Sequence, residues 1–394
     1  MKLSELKGKS AKELTGVLGF PDKANQAEKF AKLDLPNKKT EEYHYFDVEK
    51  LFDKEYKLLE YPHKPIAEGE KLVITDGVVT SAPKGLRISY ANDTKIDLAH
   101  FDAMYYLGHL LCSHTIKIEL DGDVQLEVEH HYTQSNALIH YRIELTNQVN
   151  RHSTVYETFI ADDIQDTLVL YGYDLNIAQD STLRMVKLQT MYDNKYSIIA
   201  SHKMNVGKNA QAIFKSFDFG GDHGLQLLKV DLDERAHIEA NHLLYVNQHS
   251  RRGTVSQIVH KGEYSTSKQE AKNILDGNTR GIFDALIRVE KTAKHTKAEQ
   301  NSKAILLHEK AYMAAKPQLE IYIDELEASH GSTTGQLDAK QIFYLQSRGL
   351  SYNEARKMLV IAFANTLIEK VMDARYQERI KEAFEAVFYS TNTN

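Results

Sequence analysis

The sequence predicts a mainly β chain with helical regions at both ends. Between His114 and Ile323, over roughly 200 residues, apolar and polar residues alternate with a period of two, as half-buried strands require. The flanking segments instead show the three-to-four-residue spacing of amphipathic helices. Many short strands in succession suit a β-solenoid, a sandwich or a barrel, and the spacing alone does not choose among these three.

The first region, residues 1–95, is predicted to be a small α-rich cap. Leu14, Leu18 and Phe30 recur at helical spacing with charged residues between them. Pro36 ends one of these helices, because proline lacks the backbone N–H that a continuing helix needs.

The second region, residues 96–325, contains the alternating segments. Its first two predicted strands are Ile116–Leu120 and Val124–Glu129, separated by a predicted turn around Gly122. Similar segments continue to Ile323 with little helical periodicity between them. This region therefore forms the predicted β core.

The third region, residues 326–394, is predicted to be a helical domain. Asp338 and Gln341 have the spacing of a capping box, and Gly349 is a suitable left-handed stop for that helix. Ser351 starts a second helix by the same logic. The apolar stripe of this second helix predicts packing against the rest of the protein rather than a free binding surface.

Composition and charge narrow the classes of function. The chain has 394 residues, a formal charge of −6 and a pI near 6.3, so it lacks the basic surface expected of a nucleic-acid-binding protein. No apolar run approaches the ~20 residues of a membrane helix, and the first residues lack the apolar core of a secretory signal. We therefore expect a cytoplasmic protein with no membrane partner. The single cysteine, Cys112, rules out an internal disulfide and predicts a buried, inert thiol.

Motif searches return no catalytic signature. The sequence has no Gly-rich phosphate loop ending in Lys-Ser/Thr, no Gly-x-Ser-x-Gly elbow and no His-Glu-x-x-His motif. Paired acids occur at Asp162-Asp163 and Asp324-Glu325, and a carbohydrate-active β-helix enzyme could use such pairs. Charged turns explain them more simply.

One block of sequence carries the strongest signal. It joins a predicted strand at 316–322, a turn of small residues at 328–338, and a helix that ends at Gly349. This block resembles the C-terminal signature of the SufB/SufD family of iron–sulfur cluster assembly scaffolds, and its Ser329-His330-Gly331 version of the turn resembles the SufD branch. The resemblance extends over most of Leu98 to Phe363. It implies that the core is a right-handed parallel β-helix.

The resemblance also gives His330 a role. A neutral imidazole binds iron readily, and the matching SufD histidine faces the essential cysteine of a SufB-like partner. The implied cargo is transient iron or a nascent iron–sulfur cluster at the subunit interface, with no stably bound cofactor. In this branch a cysteine often stands where Ala328 is found, so a second ligand from this turn is in question. The alternative is a turn histidine that bonds locally.

The implied function is a non-catalytic scaffold, not an enzyme. The chain would pair with a SufB-like subunit and hold a SufC-like ABC ATPase, whose ATP-driven motion reshapes the cluster-building interface. The residues implied in SufC docking are Ile342, Phe343, Tyr344, Leu345, Arg348 and Gly349. Two alternatives remain at this point: a homodimeric, stand-alone iron-binding assembly factor, and a β-helix carbohydrate-active enzyme.

Overall fold

A computed structural model describes residues 1–61, 65–92, 95–191, 196–221 and 223–391. Its short 3₁₀ helices are Leu3–Leu6 and Glu41–Tyr43. The α-helices in the described residues are α1 (Ala11–Leu18), α2 (Ala24–Leu33), α3 (Val48–Phe52), α4 (Ala103–Leu111), α5 (Ala339–Ser347), α6 (Tyr352–Ile368) and α7 (Ala374–Thr391).

The strands occupy the middle of the chain. They are β1 (Lys57–Leu58), β2 (Ala67–Glu68), β3 (Leu72–Thr75), β4 (Val78–Ala82), β5 (Arg87–Ala91), β6 (Thr115–Leu120), β7 (Gln125–Tyr132), β8 (Ala137–Asn147), β9 (His152–Ala161), β10 (Thr167–Ile177), β11 (Thr182–Met191), β12 (Tyr196–Val206), β13 (Gln211–Gly220), β14 (His223–Leu232), β15 (His237–Val246), β16 (Arg251–His260), β17 (Thr266–Leu275), β18 (Arg280–Val289), β19 (Thr296–Leu306), β20 (Tyr312–Ile321) and β21 (Leu326–Gly335).

Strands β6 to β21 form a parallel β-solenoid of about seven turns, whereas β3 pairs with β4, and β5 with β6, in antiparallel fashion. The even-numbered strands from β6 to β20 belong to one sheet, here called sheet I, and the odd-numbered strands from β7 to β21 belong to the other, sheet II. Each rung contains one strand from each sheet, and each strand pairs in parallel with the strand two places along the chain. The parallel β-helix expected from the family resemblance is confirmed.

The alternating pattern predicts strands well but not their partners. The predicted strands around Ile118 and Val128 are present as β6 and β7, yet they lie in different sheets and do not form a hairpin across Gly122. Alternation shows only that each strand buries one face, and in a solenoid that face points to the interior.

The predicted boundary at residue 325 differs from the structure. Leu326–Gly335, assigned from sequence to the helical domain and interpreted as a turn, is the last strand of sheet II and pairs with β19 over its whole length. Its small polar residues lack the apolar alternation of a buried strand because most of this strand is exposed. At the other end, helices occupy the first half of the N-terminal region, and short strands follow from Lys57 onward.

The solenoid is covered on both outer faces by helices. The N-terminal helices and α4 pack on the outer face of sheet I, where Phe30, Leu107 and Leu168 belong to one apolar cluster. Helices α6 and α7 pack on the outer face of sheet II, where Phe384 is 5.3 Å from Phe219 between ring centroids. Helix α6 packs there as predicted, but through a different face: Val360, Ala364 and Ile368 are buried, whereas Met358 and Ala362 of the stripe predicted from sequence are exposed.

The interior of the solenoid changes character along its axis. Leu, Ile, Val and aromatic side chains fill most rungs. Between β11 and β19, however, buried polar side chains face inward on the same face as their apolar neighbours, among them Lys187, Gln226, Arg252 and Gln300. Buried polar groups need partners, so these rungs are held by hydrogen bonds as well as by apolar packing.

Candidate functional site

The solenoid ends in two edge strands. In the described residues β20 pairs only with β18 and β21 pairs only with β19, so the outer backbone groups of both strands are unpaired. Such edges are templates on which another strand can add, because main-chain N–H and C=O groups already point outward.

The two edges differ in how well they are protected. β20 contains Lys316, Pro317 and Glu320, and both charge and proline discourage further pairing. β21 contains one charged residue, Glu327, and no proline in its ten residues. Monomeric proteins usually block their edges with such residues. The edge of sheet II is therefore the one left open for a partner strand.

His330 lies in the middle of this open edge. It is exposed and has Gln300 as its register partner on β19. Ala328, two residues earlier and hence on the same face, packs against the interior core cluster. His330 therefore lies on the inner face of sheet II at the mouth of the solenoid. The structure places it in a strand rather than in the predicted turn.

The residue beneath His330 is polar and incompletely bonded. Gln300 is buried, and its amide nitrogen donates to the carbonyl oxygen of Ala285 at 2.9 Å. Its side-chain oxygen has no hydrogen-bond partner among the described residues. A free acceptor one strand below an imidazole can receive one ring N–H, which would leave the other ring nitrogen free to bind a metal. Gln300 could not be identified from the sequence, because a single glutamine on a strand belongs to no distinctive motif.

The chain offers few other metal ligands. Among the described residues, no group of three or more His, Cys, Asp or Glu side chains lies close enough to bind a metal ion. Cys112 is buried, and burial raises the pKa of its thiol to about 11, as expected for an inert thiol. A metal or cluster held at His330 would need further ligands from outside the described residues.

Two further histidines, His242 and His260, are interior residues. His260 is satisfied by two hydroxyl groups, those of Ser265 at 2.8 Å and Ser267 at 2.9 Å. His242 is also buried, but neither of its ring nitrogens has a hydrogen-bond partner among the described residues. The acid pairs Asp162-Asp163 and Asp324-Glu325 lie in the connections after β9 and β20, as predicted.

Apolar side chains are exposed around the open end. Tyr322, which directly follows β20, is 52% exposed, and Ile321 and Tyr312 on the same edge strand are also exposed. Large apolar groups that cluster at a strand edge are typical of protein interfaces.

Helix α5 carries the predicted docking residues. Ile342 is buried and Leu345 is half-buried, so these two hold the helix to the protein. Phe343 is 72% exposed and Tyr344 is 57% exposed. The guanidinium of Arg348 lies 5.3 Å from the ring centre of Tyr344.

The end of this helix is fixed by Gly349, whose φ of +98° only glycine adopts without strain. A helix with one anchored side and two free aromatic rings can dock a partner.

Helix α5 is joined to the strand that carries His330 by a short connection. Residues 336–338 alone connect β21 to α5. Helix α6 and the segment after it are in turn tied to sheet II, where Lys370 pairs with Glu270 at 2.6 Å and Arg356 pairs with Asp276 at 3.0 Å. A force applied to α5 would therefore reach the open edge directly.

None of the helices in the described part of the chain combines the length and apolar character that a bilayer-spanning helix requires.

Comparison with known proteins identifies the family. Residues 130–363 match the family described as "SUF system FeS cluster assembly, SufBD core domain", and residues 21–69 match "SufBD protein N-terminal region". The first match covers most of the solenoid together with α5 and much of α6.

Curated relatives point the same way. The chain is 30% identical over 245 residues to the iron–sulfur cluster assembly protein SufD of Escherichia coli K12, a match that covers 61% of this chain and 57% of that protein. It is 32% identical over 160 residues to the SufBD family protein slr0076 of Synechocystis, covering 41% of this chain and 35% of the relative. It is 30% identical over 116 residues to SufD of Bacillus subtilis, covering 29% and 26%.

The matches thus span only part of each relative, at most 57% of these three proteins. The match to the core family nevertheless covers more than half of this chain, and it includes most of the solenoid, the open edge and His330. The chain belongs to the SufBD family of iron–sulfur cluster assembly proteins and is similar to SufD.

Proposed function

We propose that this chain is a SufD-like, non-catalytic scaffold subunit that pairs with a SufB-like subunit through its open solenoid end. The observation that carries the proposal is the edge of β21, which is unpaired, nearly uncharged and free of proline. A strand of this composition gains main-chain hydrogen bonds when a second strand is added. The exposed Tyr322 and Ile321 supply apolar area beside it.

His330 is proposed to contribute one ligand to transient iron or to a nascent cluster at this interface. Its place on the exposed edge brings it to the surface that a partner would cover. Imidazole nitrogen binds iron readily. Because Ala328 replaces a cysteine common in the SufD branch, the thiolate ligands in this proposal come from the partner.

Helix α5 is proposed to dock a SufC-like ABC ATPase through Phe343 and Tyr344. Nucleotide-driven closure of an ATPase pair would pull on α5, and residues 336–338 would pass that pull to β21. A rigid-body movement of this kind can open or reshape an interface built on strand edges. The conformational work would come from the ATPase, since this chain carries no phosphate-binding loop.

Co-expression with a SufB-like and a SufC-like protein tests the proposal. We expect one complex on size-exclusion chromatography that contains all three chains, with ATP hydrolysis confined to the SufC-like subunit. A chain that remains a homodimer in the presence of both partners and binds iron by itself would instead support the stand-alone assembly factor. ATP hydrolysis by the isolated chain would contradict the scaffold role.

A further inference from the structure

A small cavity lies inside the solenoid, away from the open end. Its volume is about 20 Å³, and side chains from both sheets line it. A cavity needs roughly 10–15 Å³ to hold one water molecule. This space therefore admits one or two water molecules or a single monatomic ion, and it excludes a sulfate or phosphate group.

The cavity is lined by a compact set of charges. Lys187 donates to the carboxylate of Asp218 at 3.0 Å and to the side-chain oxygen of Gln226 at 3.1 Å. One nitrogen of Arg252, Nη2, donates to Asp218 at 3.1 Å and to Gln189 at 2.8 Å. Among the described residues, the lining thus contains two cations and one carboxylate.

Arg252 reaches this position because of a glycine. Gly224 is its register partner in sheet I, and a Cβ at residue 224 would lie 2.8 Å from the guanidinium Nε of Arg252. Any larger residue would displace the side chain. The fold therefore makes room for a buried guanidinium at this point, although burying a charge is costly unless it is fully paired.

Several hydrogen-bond donors that line the cavity have no acceptor among the described residues. Four buried atoms around the cavity have no hydrogen-bond partner among the described residues, namely Nη1 of Arg252, Nε2 of Gln226, and both ring nitrogens of His242. The amide of Gln226 cannot simply be reversed, since its oxygen accepts from Lys187. Three donors are thus left without an acceptor, because a neutral imidazole donates through one nitrogen only.

The protonation states agree with this count. Burial lowers the pKa of His242 to about 4, so its ring is neutral at physiological pH. Burial alone would raise the pKa of Asp218, but the charges of Lys187 and Arg252 outweigh it and keep the carboxyl ionised. Glu157 is the register neighbour of Lys187, yet it does not line the cavity and is bonded to His130 at 2.8 Å.

We propose that this cavity is a binding site for a small monovalent anion of the halide class, such as chloride. The anion accepts from Arg252, Gln226 and His242 and balances the excess positive charge of the lining. Arg252, Gln226 and His242 are buried in the folded chain, so an ion bound to them stabilises that state over the unfolded one. This site is independent of the open end and of the proposed scaffold function.

Bromide locates the site directly. The full chain is refolded and crystallised in sodium bromide, and anomalous diffraction is measured at the bromine edge. We expect a peak inside the cavity, within hydrogen-bonding distance of Arg252 and Gln226. Density without an anomalous signal would identify water and overturn the proposal.

Thermal unfolding provides a test that needs no crystal. We expect the melting temperature to rise by roughly 2 °C for each tenfold increase in chloride or bromide, at ionic strength held constant with gluconate. Gln226→Glu places a carboxylate in the cavity and should abolish this dependence. The matched control is Gln269→Glu, another interior glutamine, which is bonded to Ser256 and should retain the dependence. Equal melting temperatures of the wild-type chain in halide and gluconate would contradict the proposal.

Discussion

Gln300 lies directly beneath His330 in the register of sheet II, so a buried amide oxygen with no hydrogen-bond partner in the described part of the chain is adjacent to the exposed imidazole at the open end. An oxygen in this position can fix one tautomer of the ring by accepting its N–H. The proposed ligand would then be oriented by a residue that touches no metal.

Gln300→Leu tests this relationship. The substitution keeps the size of the side chain but removes the acceptor. In the reconstituted complex we expect cluster formation to slow by about tenfold, the lower end of the loss seen when a second-sphere partner of a metal ligand is removed. Cluster formation is followed by absorbance, and complex formation by size-exclusion chromatography. Gln189→Leu, a buried glutamine on β11 and remote from His330, is the control, and an equal loss in both variants would assign the effect to general destabilisation.

The open end is tested by Tyr322→Lys. This residue is half-exposed and does not belong to the buried core. The substitution should therefore change the free energy of unfolding by no more than about 0.5 kcal/mol. A charge beside the strand edge should weaken association with the SufB-like subunit by tenfold or more, measured by calorimetric titration. Val149→Lys, at an exposed position in the connection after β8, serves as the control. Unchanged affinity for the Tyr322 variant would place the partner elsewhere.

Docking of the ATPase is tested by Phe343→Asp. Because this ring is largely exposed, the variant should fold normally but lose co-purification with the SufC-like ATPase. Met372→Asp is a matched control, since Met372 is 80% exposed and lies between α6 and α7 in the same helical region. If both variants retain the ATPase, α5 is not the docking element.

Attachment of the C-terminal helices depends on Phe384. Its ring packs against Phe219 and, at 5.7 Å between centroids, against Tyr245. Phe384→Ala should lower the free energy of unfolding by about 3–5 kcal/mol, because it removes a fully buried ring. Urea unfolding measures this change, and limited proteolysis shows whether α7 is released first. Phe343→Ala, on an exposed face, should cost little; a similar loss in both variants would contradict the packing argument.

Stability should fall on acidification through the buried histidines. Burial lowers the pKa of His260 to about 4, whereas an unfolded histidine titrates near 6.5. Between pH 6.5 and 4, His260 is protonated in the unfolded chain but stays neutral in the folded chain. The free energy of unfolding therefore falls as the pH falls through this window. Protonation of His260 in the unfolded chain should lower the free energy of unfolding by roughly 3 kcal/mol across this window.

The variant His260→Gln isolates this contribution. It keeps a hydrogen-bonding side chain beside Ser265 and Ser267 but cannot titrate. Unfolding by urea at several pH values should show a weaker pH dependence than in the wild-type chain. Identical pH profiles would show that His260 does not contribute to acid sensitivity.

The sequence predicts single elements of this fold better than their pairing. Alternation identifies β6 and β7 because each has a buried face, but it does not distinguish a hairpin from two rungs of a solenoid. The strand β21 is missed because its side chains are exposed and small, and a strand preference depends largely on packing. The capped helix α5 is predicted correctly because Asp338 and Gly349 set its two ends through the conformation and hydrogen bonds of neighbouring residues.

The candidate site also combines a residue that could be predicted from the sequence with contacts that could not. His330 could be selected from the sequence through a family resemblance, while its place on a strand edge required the register with β19. Gln300 and the charged cavity could not be selected, because their significance lies in contacts between rungs about thirty residues apart in sequence. Such spacing leaves no local motif.

Cluster yield in the reconstituted complex tests the central claim most directly. His330→Ala is compared with His249→Ala, an exposed histidine in the connection between β15 and β16. We predict that the His330 variant forms the complex with both partners but assembles far less iron–sulfur cluster, while the His249 variant matches the wild-type chain. Full cluster yield from an intact complex of the His330 variant would contradict the account.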